Sequence, residues 1–169
     1  MQENNNSNEK TDCEKVIPLW LVLLDNIPTL TMYILGTIII SLISINYSFV
    51  FIFYSLISII WFWARICPFC HYHGTLACPC GYGVISAKLF AKKEGKSFRT
   101  VFKSNIIVLF PSWFIPPIVG IYLLIKNYSI GLLILVSSFI VVGFILIPFI
   151  SKKVGCKDCE IKEDCPWMK

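Results

Sequence analysis

Long apolar stretches broken by short polar ones dominate this chain. Four of them, Thr29 to Ile45, Phe49 to Ala64, Ile106 to Ile125 and Ile130 to Ile150, contain no Asp, Glu, Lys or Arg. At a helical rise of 1.5 Å per residue they predict helices of about 24 to 32 Å, against a hydrocarbon thickness of about 30 Å. The first two are slightly short and must borrow flanking residues or thin the bilayer. Asn46-Tyr47-Ser48 separates the first pair and Lys126-Asn127-Tyr128-Ser129 the second. Those turns predict two tight helical hairpins.

The ends and the third stretch need separate treatment. Residues 1–15 open with a polar run rich in Asn, Glu and Ser, which reads as disordered. That run lacks the basic start of a signal peptide. Val16 to Leu24 is apolar but short, and Asp25-Asn26 followed by Pro28 resembles a helix N-terminus, so the expectation is an interfacial segment before the first span. In the third stretch, Pro111, Pro116 and Pro117 interrupt the hydrogen-bond ladder. A kinked crossing is expected there rather than a re-entrant hairpin, because neighbouring helices can satisfy the freed carbonyls and Lys152 and Lys153 follow the fourth stretch.

Composition gives these stretches their solvent. The 169 residues are 56% hydrophobic and 15% charged, with a mean hydropathy of +0.72. A soluble domain averages about 25% charged residues, so the surplus apolar surface requires a bilayer. The fold class is therefore an all-α membrane protein with four transmembrane helices as two hairpins. Residues 16–64 hold the interfacial segment and first hairpin, 65–105 a Cys-rich loop with a basic helix, 106–150 the second hairpin and 151–169 a Cys-rich tail. The net charge of +5 reads as membrane orientation rather than nucleic-acid binding. Of the fifteen Lys and Arg residues, only Lys126 falls in a short turn. The positive-inside rule thus assigns both termini and the central loop to the cytoplasmic side of the cell membrane.

All eight cysteines fall on that same side. Cys67-Pro68-Phe69-Cys70 is followed by Cys78-Pro79, and Cys156-Lys157-Asp158-Cys159 is followed by Cys165-Pro166, so each block pairs a C-x2-C with a Cys-Pro. Cys80 supplies a fourth thiol to the loop, and Cys13 can supply one to the tail. A C-x2-C turn brings two thiolates within range of one ion, and a reducing cytoplasm disfavours disulfides, so the expectation is metal. Candidate ligands are Cys67, Cys70, Cys78, Cys80, Cys156, Cys159, Cys165 and Cys13. Zinc and an iron-sulfur cluster stay open as the cofactor. Cys78-Pro79-Cys80-Gly81 resembles a zinc knuckle one residue short, with glycine relieving the backbone beside the sulfurs, whereas a closing Cys-Pro is a feature of cluster-binding ferredoxin runs. His71 and His73 read as solvated loop residues, with metal ligation as the sharper alternative.

Between loop and third span, Lys88, Lys92, Lys96, Arg99 and Lys103 recur at helical spacing. They predict an amphipathic basic helix among anionic headgroups, which Gly95 can divide and Ser97 can cap. Ser41, Ser44, Ser55, Ser58, Thr37 and Gly36 read as helix-packing residues, and with no charged residue expected in a span an ion-coupled carrier lacks its relay. The favoured function is a small membrane accessory or redox module carrying cysteine-ligated metal and docking a membrane protein partner. Two alternatives stand beside it. Protein S-acyltransferases share the layout of four spans and a cytoplasmic Cys-rich loop, which would make Cys80 or Cys78 a nucleophile, but their Asp-His-His-Cys signature is absent. Thiophilic metal-ion transport through the broken third helix is the other.

Overall fold

The computed structural model describes residues 16–155, and among them every regular element is helical. Seven α-helices are joined by short 3₁₀ and π-helical segments: α1 (Leu19–Ser41), α2 (Ile45–Arg65), α3 (Tyr82–Leu89), α4 (Phe98–Asn105), α5 (Phe110–Lys126), α6 (Ile130–Ile140) and α7 (Ile147–Ile150). Four continuous helical rods are long and apolar enough to cross a membrane: Leu19–Ser41, Ile45–Phe69, Phe98–Lys126 and Ile130–Lys153. The chain is a multi-pass membrane protein.

The first rod departs from the sequence expectation. Leu19 to Leu24 is no separate interfacial segment; it forms the opening turns of α1, which runs unbroken through Asp25, Asn26 and Pro28. With 23 residues α1 reaches about 35 Å, enough to span. The polar pair that resembled a helix start is satisfied inside the bundle. Asn26 Nδ2 donates to Val22 O one turn back at 2.7 Å, and Asp25 accepts from Ser151 Oγ at 3.2 Å. A span therefore does contain a carboxyl group, contrary to the sequence reading. The first turn also shifts. Ser44 accepts from Asn46 N at 3.4 Å as the N-cap of α2, so Asn46, Tyr47 and Ser48 lie inside the helix and Leu42 to Ser44 make the connection.

Close approaches between helices fix their directions. Pro116 and Phe139 both sit where a Cβ on Gly36 would lie within 3.1–3.2 Å of them, and so does Phe51, so α2, α5 and α6 converge on one point of α1. Gly143 packs against Met32 and Ser151 against Asp25, so the last rod runs antiparallel to α1. Gly120 meets Ile39 and Val136, which makes α5 parallel to α1 and antiparallel to α6. Met32, Ile39, Val136, Phe139 and Ile147 form the buried cluster at the centre. Small residues at the crossings let the backbones approach, while Leu30, Ile34, Phe49, Phe53, Ile118, Ile125 and Ile134 face outward and need lipid.

The three prolines leave the third rod continuous. Pro111 occupies the first turn of α5, where its missing N–H is harmless, and Pro116 and Pro117 lie buried within the helix. Ahead of Pro111 the ladder tightens into a 3₁₀ turn over Ile106–Leu109, and α2 satisfies the carbonyl there. Tyr54 Oη donates to Val108 O at 2.7 Å and Ser58 Oγ at 3.4 Å. The helix therefore runs on through all three prolines instead of folding back on itself.

The basic stretch is two short helices, not one. Between α3 and α4 residues 90–97 carry no regular structure, and Gly95 adopts a φ of +91°, which breaks any helix passing through it. Ser97 occupies the N-cap position of α4 with extended backbone, yet its side chain makes no capping hydrogen bond. Lys92 and Lys96 accordingly lie in the extended strap rather than on a helical face.

Candidate thiolate site

Cys67, Cys70, Cys78 and Cys80 lie in a chain of tight turns between α2 and α3, and none of the four is in a disulfide. Pro68 sets the first turn: Cys67–Phe69 is 3₁₀-helical and Cys70 N donates to Cys67 O at 3.0 Å, bringing both ends of the C-x2-C to one turn. Cys67 and Ile66 are buried beneath it. The chain then turns again, with His73 N to Cys70 O and Cys78 N to Thr75 O, before reaching the second pair.

The Cys78-Pro79-Cys80-Gly81 turn closes with Gly81 N donating to Cys78 O at 3.1 Å, and Gly81 adopts a φ of +72°. A side chain there would be strained and would also strike Val22 of α1. Two residues on, Gly83 N points at Cys78 Sγ and donates to it at 3.2 Å. Gly83 has no alternative, since a Cβ would lie 2.6 Å from Tyr72 O and 3.2 Å from Cys78 Sγ. Gly74 N donates to Gly83 O at 3.1 Å, locking the earlier turn onto the start of α3.

These contacts set the ionisation of the pair. The Cys80 thiol donates to the Cys78 sulfur, and backbone N–H groups of Gly83, Cys80 and Gly81 add to it, so Cys78 is held below the usual thiol range although burial opposes the shift. Cys80 is pushed up by the same contact, with burial next and the charge of Cys78 after it. The shared contact thus moves the two thiols in opposite directions. Burial also raises Tyr82, whose ring lies edge-on to Phe62 with centroids 6.0 Å apart. Burial and then Lys92 lower the pKa of His73, and Nε2 of that ring is a buried nitrogen with no hydrogen-bond partner.

The loop is fastened to the bundle at several points. Asn26 Nδ2 donates to Cys80 O at 3.1 Å, Ser86 Oγ to Trp63 O at 2.7 Å and Ile17 N to Leu76 O at 3.1 Å. Asp25 and Asn26, adjacent on α1, therefore hold Ser151 of the last rod and Cys80 of the loop respectively. Ile17, bonded to Leu76, and Ser151, bonded to Asp25, thus both lie at the loop's end of the bundle.

Of the eight cysteines singled out from sequence, four occupy this loop, and Cys13, Cys156, Cys159 and Cys165 lie outside the described residues, as does the N-terminal stretch read as disordered. Among the described residues no three His, Cys, Asp or Glu side chains are arranged to hold one metal ion. What the turn supplies is a buried sulfur that accepts a backbone N–H, beside a glycine of positive φ. Sequence reasoning missed Gly83, whose donor N–H had no signal beyond a second glycine close to Cys-Pro-Cys. It also missed Asn26, because Asp-Asn ahead of proline imitates a cap. Comparison of the chain with protein-family models, curated proteins and solved structures gave no match.

Proposed function

We propose that this protein is a small membrane module whose loop cysteines, together with those of the tail and Cys13, bind a soft metal centre at the cytoplasmic end of the bundle. Cys67, Cys70, Cys78 and Cys80 are the loop's ligands, and Cys156, Cys159 and Cys165 those of the tail. The observation that carries the reading is the cradle at Cys78, where a backbone N–H is committed to sulfur at 3.2 Å in a turn that only glycine can make. Convergence supports it, since Asp25 and Asn26 hold the end of the last rod and the Cys80 turn side by side. The skew of Lys and Arg supports the cytoplasmic assignment.

A zinc centre would fasten loop to tail and present a surface to a membrane partner; an iron-sulfur centre would pass electrons to such a partner. Anaerobic purification from membranes, metal analysis and a visible spectrum test the proposal. At least one zinc or one cluster per chain is expected, with loss in Cys67→Ser and Cys78→Ser. Metal at background level with all thiols titrating freely would overturn it.

A nucleophilic cysteine is the second reading, favoured by the contact in which Cys80 donates to the Cys78 sulfur. It requires a hydroxylamine-sensitive acyl adduct on Cys78, and absence of any such adduct after incubation with acyl donors removes it.

A further inference from the structure

The third rod is longer than a membrane. From Phe98 to Lys126 it holds 29 residues, about 43 Å of helix, against about 30 Å of hydrocarbon. If Lys126 marks one boundary, about 20 residues fill the apolar slab and the other boundary falls near Ile106. The whole of α4 then stands in the headgroup layer, carrying Arg99 and Lys103. Its Val101 is buried toward the bundle and Phe98 packs on Phe102 with centroids 5.6 Å apart, so the element is held in place rather than trailing.

The strap that precedes it is fixed at the same level. Lys93 N donates to Pro68 O at 3.0 Å, tying the strap to the Cys67–Phe69 turn that follows α2. Lys88, Lys92, Lys93, Lys96 and Lys103 are exposed. From Tyr82 to Asn105 the only acidic residue is Glu94, and no ion pair neutralises these cations among the described residues. Leu89 and Ile107, each 62% exposed, give the same region an apolar side that matches acyl chains. Unpaired cations above an apolar edge, at headgroup height, are complementary to a lipid phosphate.

We infer that the strap and α4 form a binding site for anionic phospholipid, with Lys92, Lys93, Lys96 and Arg99 holding the headgroup phosphate. The site rests on cations rather than thiols and has its own readout. Full-length protein in a neutral detergent is titrated with phosphatidylglycerol, with phosphatidylcholine and with inorganic phosphate, and followed by native mass spectrometry and thermal unfolding. Phosphatidylglycerol is expected to be retained and to raise Tm, while the other two do neither. Neutralising a surface cation weakens anionic-lipid attraction about fivefold, so the quadruple variant Lys92→Gln, Lys93→Gln, Lys96→Gln, Arg99→Gln should lose at least tenfold. The same variant should melt like the parent in phosphatidylcholine and keep its metal content, and Lys126→Gln should bind phosphatidylglycerol normally. Equal retention of phosphatidylcholine, a stabilisation reproduced by phosphate alone, or undiminished binding by the quadruple variant would each overturn the inference.

Discussion

Replacing Gly83 with alanine tests the thiolate cradle at its narrowest point. The added methyl would lie 2.6 Å from Tyr72 O and 3.2 Å from both Cys78 Cβ and Sγ. Tyr72 O is backbone and Gly74, two residues on, is tied to Gly83 O, so the carbonyl has little freedom to retreat. Relief must come from moving the start of α3 away from the cysteine turn, which lengthens the 3.2 Å N–H to sulfur contact. Overpacking of this kind costs about 1–3 kcal/mol of stability. A hydrogen bond to a charged acceptor is worth about 1.5–3 kcal/mol, which corresponds to roughly ten- to a hundredfold in metal affinity. Competition against a chromogenic chelator measures the affinity, and tryptophan fluorescence on heating measures the stability. Gly131→Ala is the control, because its nearest neighbour is Ser129 Oγ at 3.8 Å and its φ is not positive. It should bind normally and melt at or slightly above the parent temperature. A Gly83→Ala protein with parental metal affinity would refute the role assigned to the cradle, whatever its melting temperature.

Metal affinity should rise with pH, because the Cys80 proton, retained through its contact with Cys78 and through burial, has to leave before that sulfur can ligate. Cys78 is already shifted toward thiolate and adds little to the slope; a zinc titration that is flat between about pH 6.5 and 8.5 would contradict this. Tyr54→Phe removes the 2.7 Å hydrogen bond to Val108 O and keeps the 3.4 Å contact from Ser58, so a loss of about 0.6–1.7 kcal/mol in thermal stability is expected with metal content unchanged. Gly36→Ala forces a methyl against Phe51, Pro116 and Phe139 at 3.1–3.2 Å, and a destabilisation of about 1–3 kcal/mol should appear as a lower melting temperature in detergent.

How legible these features were depends on whether their cause was local. The second and fourth rods follow directly from uninterrupted apolar runs, and the third was readable because proline effects on a helix are local. The beginning of α1 was not, since Asp25 and Asn26 find partners at Ser151 and Cys80, far away in the chain. Only their tertiary setting distinguishes a satisfied polar pair from a cap. The glycine break in the basic stretch was visible at Gly95, but the eight-residue strap around it was not, because it depends on Lys93 pairing with Pro68. At the site, cysteine spacing identified the loop, while the N–H of Gly83 carries no residue-type signature and emerges only from the turn geometry.

The central place of α1 has a consequence for biogenesis. Asp25 of α1 makes its contact with Ser151, a residue 126 positions later, so that carboxyl group has no lasting partner until the rod carrying Ser151 is in the membrane. Chains truncated after the first hairpin would leave Asp25 and the buried faces of Met32 and Ile39 bare to lipid, making them natural targets for quality-control proteases.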